Sequence, residues 1–321
     1  MTRKKLVIPG GSGFLGRTLL RFFEARGFDV VILSRTPRRT PDELAGARVV
    51  LWDAKTLGPW AAELEGATAV LNMAGRSVNC RYTEKNRAVM LDSRVDSTSI
   101  LGRAIAGCQE PPRVWMNSST ATIYRHRYDA PNDEATGLYG PDKEPKDAYS
   151  LVVATSWEEA FERAYRDNDL AQTRGIVLRS AIILGAEPGG VYEVLRKLVR
   201  GRLGGKAGHG RQYASWMHDG DFCRAIEFLM QQEGSKGIYN LCAPHPLPNK
   251  EMMGVMRKAL GVGLGLPATK WMLEIGAFLG RTETELVVKS RRVVPTRLLE
   301  EGFAFDYPEL AGALADIEGR L

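Results

Sequence analysis

Short apolar runs of β-type residues alternate along this chain with stretches in which apolar positions recur every three or four residues. The runs at 6–8, 29–33, 48–52, 69–73, 113–117 and 175–179 read as strands. Between the first two, Leu15, Leu19, Phe22 and Phe23 make a helical stripe, and Gly27 is placed to end that helix. Longer helices are predicted at about 83–106 and 147–167. Strands that alternate with helices build right-handed βαβ units, so the expected class is α/β with a doubly wound parallel sheet.

The rhythm changes near Gly185. Gly201, Gly204, Gly205, Gly208 and Gly210 crowd one stretch, Trp216-Met217-His218 follows, and the remainder is mainly helical. The predicted organisation is a sheet domain over 1–184 and a smaller, mainly helical lobe over 185–321, with 214–243 returning to the first sheet. In an open α/β sheet ligands bind beyond the carboxyl ends of the strands, so the site is expected in the cleft between the two parts.

Gly10-Gly11-Ser12-Gly13-Phe14-Leu15-Gly16 follows the first strand and opens the first helix. It satisfies G-x-G-x-x-G through Gly11, Gly13 and Gly16. Glycines there allow a tight turn, close approach of backbone to a pyrophosphate and close helix–strand packing, with the phosphates on free N–H groups of the helix. This is the nucleotide loop of a Rossmann domain. About 20 residues on, where an acid would accept from the ribose of NAD, the second strand runs instead through Ser34 into Arg35, with Arg38 and Arg39 close by. Guanidinium groups suit a 2′-phosphate, so the expected cofactor is NADP(H). The plain alternative is a solvated basic loop.

Composition narrows the classes. The 321 residues are 44% hydrophobic and 26% charged, an ordinary globular balance. No apolar run is long enough to cross a bilayer, and Met1 to Lys5 lead straight into Leu6, so no membrane partner is expected and the compartment is expected to be cytoplasmic. Cys80, Cys108, Cys223 and Cys242 show no CxxC spacing, so reduced thiols and no metal site are expected. The net charge of +6 raises nucleic acid as a partner, but the basic residues are spread out and no aromatic–basic motif accompanies them. A small phosphorylated molecule suits the charge better.

With these segments in view, the chain resembles an atypical extended short-chain dehydrogenase/reductase, of the NAD(P)-dependent epimerase/dehydratase or "epimerase family" branch. PGGSGFLG at the start, LNMAG at 71–75, LDSRVDST at 91–98, WEEAF at 157–161 and LRSAIILG at 178–185 carry the likeness, with GGKAGHGRQYASWMH at 204–218 and VVKSRRVVPTRLLEEGFAFDYPEL at 287–310 the most specific. The resemblance implies that Met73, Ala74 and Gly75 line the cofactor behind the fourth strand, that Trp52 and Asp53 lie near the adenine, and that Ser118 and Ser119 border it. It implies that the Thr120 hydroxyl bonds the reacting oxygen, against the plain reading of a strand end bonding its own backbone.

Departures from the family matter as much. The wider family sets a tyrosine one helical turn before a lysine that lowers its pKa. The one literal copy here, Tyr139 to Lys143, has glycine and proline inside it and reads as a loop. The helix position is Tyr149, whose fourth neighbour is Val153, so Tyr149 or Tyr124 is left to carry the proton. Sugar-nucleotide members bind the substrate's diphosphate with an arginine, and the sugar nucleotide also with an asparagine, at positions that here are Ala214 and Ile182. Arg211 and Gln212, with Trp216, are the expected substrate contacts in their place. His218 and Asp221 suggest a catalytic pair, but a strand histidine and a helix cap at Asp221 are the preferred reading. The expected function is an NADP(H)-dependent oxidoreductase or epimerase acting on a small polar substrate, sugar-nucleotide-like molecules among the candidates. The alternative is a catalytically silent NADP(H)-binding sensor.

Overall fold

The computed structural model describes residues 4–36, 44, 46–78, 80–140, 148–268 and 290–321. Seven parallel strands form the main sheet: β1 (Lys5–Pro9), β2 (Asp29–Ser34), β3 (Arg48–Leu51), β4 (Ala69–Asn72), β5 (Val114–Thr120), β6 (Arg174–Ser180) and, further on, the strand Gly237–Leu241. That last strand adds to the edge beside β6, with Tyr239 opposite Leu178. It is the one part of 214–243 that joins the sheet, and its mixed sequence GIYNL is not among the apolar runs. The spatial order runs from it through β6, β5, β4 and β1 to β2 and β3, so the winding reverses between β4 and β1. A crevice opens there above the strand ends.

Alternation along the strands feeds the first core from both faces of the sheet. Leu6 and Ile8 of β1 and Ile32 of β2 face one side, where α1 (Phe14–Glu24) buries Leu19, Leu20 and Phe23. Val7, Val31 and Trp115 face the other, under α2 (Glu84–Ala106) and α3 (Ala148–Asp167). Thr83 caps α2 by accepting from the Asn86 N–H at 3.3 Å. Gly27, at φ +77°, closes the turn after α1 with its N–H on the Glu24 carbonyl.

The second part of the chain carries β7 (Ile182–Leu184), α4 (Val191–Arg200), β8 (Tyr213–Ala214), β9 (Trp216–His218) and α5 (Asp219–Gln231). With the sheet strand Gly237–Leu241 as β10, the chain continues through β11 (Leu247–Pro248), α6 (Asn249–Ala259), α7 (Thr296–Glu300) and α8 (Leu310–Gly319). β7 pairs parallel with β9, and β8 antiparallel with β11. Tyr192, Val199, Trp216, Met252 and Leu314 gather into a separate core.

The helix after β9 starts earlier than the sequence suggests, and a different residue caps it. The His218 side chain accepts from the Gly220 N–H at 3.0 Å. Asp221, fully buried, instead accepts from the backbone N–H groups of Asp306 and Tyr307, both at 2.9 Å, and so ties the later segment to α5.

The glycine loop contains two kinds of glycine. A β-carbon on Gly16 would stand 1.9 Å from the Gly11 carbonyl oxygen, whereas one on Gly13, at φ −89°, would meet nothing within 4 Å. Gly16→Val is therefore expected to cost about 3 kcal/mol or more by overpacking, and Gly13→Ala at most about 1 kcal/mol. Urea unfolding of the two variants checks this; similar midpoints would contradict the packing described.

Candidate active site

The loop between β1 and α1 rises at the crevice. Gly10, at φ +78°, donates to the Leu33 carbonyl at 2.9 Å, and its missing β-carbon would lie 2.6 Å from Ala74. The turn after β4 thus presses directly on the loop. Gly13 is the N-cap of α1 without a side-chain bond, and the first turn of α1 holds no acidic residue. Its N–H groups are open to an anion. Arg17 braces the loop by donating to the Ser12 carbonyl at 3.3 Å and to the Pro188 carbonyl at 2.6 Å. Phe14 lies against Gly190 at the start of α4, and Leu15 packs partly on the core.

Beside this loop, at the ends of β2 and β3, lies a cavity of about 460 Å³ lined by Arg35, Leu51, Trp52, Asp53, Thr56 and Trp60. Ser34 is buried and bonds Thr36, while Arg35 is exposed at the rim. Trp52 meets Trp60 edge to face, with ring centroids 5.3 Å apart, and builds an apolar wall. The Asp53 carboxylate accepts from the Thr56 hydroxyl at 2.5 Å and from the Thr56 and Lys55 N–H groups at 2.9 Å each. These bonds pull its pKa down to about 2. Arg38 and Arg39 lie outside the described residues.

At the end of β4, Ala74 is buried and donates to the Asn72 side chain at 3.1 Å, Met73 is half-buried and Gly75 is exposed. At the end of β5, Ser118 is half-buried and Ser119 donates to Glu158 of α3 at 2.5 Å. The Thr120 hydroxyl, half-buried, accepts from the Thr122 N–H at 3.2 Å, which is the local turn bond.

The tyrosines separate clearly. Tyr149 stands in the first turn of α3 with its hydroxyl donating to the Arg87 carbonyl and its ring edge-on to Tyr82. Burial raises its pKa, and the Arg94 and Arg87 charges oppose that rise. One turn on, Val153 is buried and brings no ammonium group. Tyr124, read from sequence as a second proton carrier, is 1% exposed. Its hydroxyl donates to Asn240 at 2.9 Å and accepts from Arg179 at 3.0 Å, and burial pushes its pKa up. It is therefore a buried structural tyrosine. Tyr139 is half exposed, forms an antiparallel bridge with Tyr124, and also accepts from Arg179 at 2.7 Å. Lys143 lies outside the described residues.

The three expected substrate contacts do not converge. Trp216 is sealed in the second core at 0% exposure, because β9 turns it toward Tyr192 and Met252. Gln212 is buried and donates to the Ala207 carbonyl at 2.9 Å. Only Arg211 is exposed, its N–H on His209.

Two features escaped the sequence reading. Arg179 and Glu158 form a buried bidentate pair at 2.8 and 2.7 Å beneath Ser119. A charge inside the apolar run GIVLRSAIIL was the available signal. Arg94, in LDSRVDST, is buried beside Gly75. Among the described residues no helix is long and apolar enough to cross a membrane.

A reversed parallel sheet, an uncapped helix behind a glycine loop and a serine–threonine strand end define a protein of the extended short-chain dehydrogenase/reductase class. Within it, the chain belongs to the NAD dependent epimerase/dehydratase family, whose model matches residues 6–242. Residues 268–317 match a domain of unknown function, DUF1731. The human epimerase family protein SDR39U1 is 30% identical over 319 residues, covering 98% of this chain and 99% of its own. An epimerase family protein of Staphylococcus aureus is 28% identical over 327 residues, covering 98% and 99%. The crystal structure of human SDR39U1 (isoform 2) with NADPH superposes with a TM-score of 0.83 at 29% identity, covering 99% of this chain and 100% of that one.

His218 is buried, with Nε2 2.9 Å from Asp316 and Nδ1 accepting from Gly220. Desolvation lowers its pKa below the ordinary 6.5. The unfolded chain then binds the proton more readily, so this contribution to stability is complete above about pH 6.5 and is lost as pH falls toward the folded value. Melting temperature is expected to decline from pH 7.5 to 5.5, with a flatter slope in His218→Asn. An unchanged slope in that variant would assign the dependence elsewhere.

Proposed function

We propose that this protein binds NADPH across the ends of β1 to β5 and carries out oxidoreductase or epimerase chemistry on a small polar substrate. The carrying observation is the cavity beside the glycine loop, with Arg35 at its rim and Trp52 as its wall. A guanidinium there suits the 2′-phosphate of the adenosine end, and the tryptophan offers the adenine an apolar surface. The open N–H groups after Gly13 suit the pyrophosphate. The human relative crystallised with NADPH supports the same choice. Gly10, Gly11, Ser12, Phe14, Leu15 and Gly16 would shape the pyrophosphate site, with Met73, Ala74, Gly75, Ser118 and Ser119 continuing it toward the reacting end.

When bound, NADPH supplies the hydride. Thr120 would hold the substrate oxygen after giving up its local turn bond, and Tyr149 would donate the proton to it. A neutral phenol suffices for donation, so the pKa raised by burial favours reduction over oxidation. The buried Val153 in place of a lysine favours the second reading, an NADP(H)-binding sensor without turnover. The four free cysteines fit a reducing compartment such as the cytosol.

Calorimetric titration is expected to give tighter binding for NADPH than for NADH by about 1–3 kcal/mol. Arg35→Asp should erase or reverse the preference, and Gly13→Val should abolish binding while the protein stays folded. Equal affinities for the two cofactors in the unmutated protein would sink the assignment.

A panel of aldehydes, ketones and keto-sugars, followed by loss of NADPH absorbance, is expected to reveal reduction. Thr120→Val should lower that rate by about 10-fold or more, and more than Tyr139→Phe does. Tight NADPH binding without turnover across the panel would transfer the assignment to the sensor.

A further inference from the structure

Arg94 projects from α2 into the floor of the cleft. It is 9% exposed. One N–H of Nη1 donates to the Met90 carbonyl at 2.8 Å, and the guanidinium carbon stands 4.9 Å from the Trp157 ring. No carboxylate lies within ion-pair distance of it among the described residues. Several other buried or half-buried arginines pair with carboxylates, and half-buried Arg174 is spent instead on the carbonyls of Leu229, Met230 and Ser235. Arg179 holds Glu158, Arg196 holds Glu318 and Arg224 holds Asp221. Burial accordingly depresses the Arg94 pKa, and the groups that oppose this are only Tyr149, Tyr82 and Cys80.

A buried cation with no counter-ion among the described residues is a standing cost to the fold. It is tolerated where a ligand completes it. The surroundings indicate where that ligand would lie. A β-carbon on Gly75 would stand 3.1 Å from the guanidinium carbon and 3.3 Å from Nη2, and Gly75 itself is exposed at the end of β4. The absence of a side chain at that position therefore leaves one edge of Arg94 against the open cleft. The Arg76 N–H donates to Ser93 at 2.9 Å and holds the turn in place over α2. Nη1 is taken by Met90, so the Nε/Nη2 edge remains, the edge that accepts two oxygens of one planar anion side by side.

We infer that Arg94 is the anion-binding group of the substrate site and holds a carboxylate of the substrate through its Nε/Nη2 edge, beside Gly75. This rests on the reading of the cleft as the place where NADPH and substrate meet. It narrows the substrate to a small carbonyl compound that bears a carboxylate. The Nε/Nη2 edge is planar and matches the two oxygens of one planar carboxylate, whereas a tetrahedral phosphate would need further donors outside that plane. The carboxylate would neutralise a charge that no carboxylate among the described residues pairs, so part of the binding energy would come from relief of that burial.

The cofactor also carries anionic oxygens, and the test separates the two sources. Oxalate, and oxamide as its uncharged isostere, are titrated calorimetrically into the full chain with and without saturating NADPH. Oxalate is expected to bind and oxamide not. Arg94→Met keeps the stem packed but removes the charge. It should weaken oxalate by about 10-fold or more, leave NADPH affinity within about threefold of wild type, and melt no lower than wild type, since an unpaired buried charge has been removed. Arg94→Lys, with charge but no fork, should bind oxalate at an intermediate level. Oxalate binding unchanged in Arg94→Met, or absent in the unmutated protein, overturns the inference. A parallel loss of NADPH affinity would assign Arg94 to the cofactor instead, and a lowered melting temperature with oxalate binding intact would make it structural. Failure of NADPH to bind the unmutated chain would strike the cofactor reading alone, because the titration without NADPH still reports on Arg94.

Discussion

Backbone-to-backbone contact at the glycine loop is the constraint on which the cleft depends. Gly16 rests on the Gly11 carbonyl and Gly10 on Ala74, at separations that leave no room for a side chain. The first contact sets α1 down close to β1, and the second brings the end of β4 against the loop. The crevice between β1 and β4 therefore has rigid walls made of main chain. Its position does not depend on rotamers, and whatever binds there meets N–H groups already fixed in direction.

A second organising element lies on the opposite side of β5. Arg179 is in register with Ser119 on one neighbour and Asn240 on the other, and its guanidinium gathers Glu158, Tyr124 and Tyr139. One charge pair thus fixes the relative placement of β5, β6, β10 and α3. Pairs of this kind add little net stability, but loss of one member leaves the other charged and buried. The arrangement explains why Tyr124 is unsuited to proton transfer: its hydroxyl is already committed to two partners away from solvent.

The sheet was legible because periodicity reports burial directly. The expected strand positions agree with β1 to β6 to within a few residues, and α2 and α3 begin next to the predicted starts. β10 was expected only as part of the stretch 214–243 that returns to the sheet, and not as a run of its own, because an edge strand with Tyr239 and Asn240 inside it does not read as an apolar run. Around the cleft, glycine chemistry made the loop readable, since backbone approach can be met by one residue type only. Trp216 and Gln212 were misassigned for the converse reason. A tryptophan or glutamine can serve a core or a ligand equally well, and only the direction in which β9 turns its side chains decides between them. Arg94 was invisible because a lone arginine in a helix suggests solvent until its burial is known.

The contacts made by α8 have a temporal consequence. Leu310, Leu314 and Ile317 complete the second core, while Asp316 and Arg320 reach His218 and Asp219 across about a hundred intervening residues. During synthesis these residues leave the ribosome well after Leu184 of β7, Tyr192 and Val199 of α4 and Trp216 of β9, which supply the earlier share of that core. At ordinary elongation speeds of about 5–20 residues per second, the second core would wait some seconds with an apolar face uncovered. The main sheet, whose last strand β10 ends at Leu241, can assemble in that interval. Vectorial synthesis thus favours an order in which the sheet and its crevice exist before α8 completes the separate core.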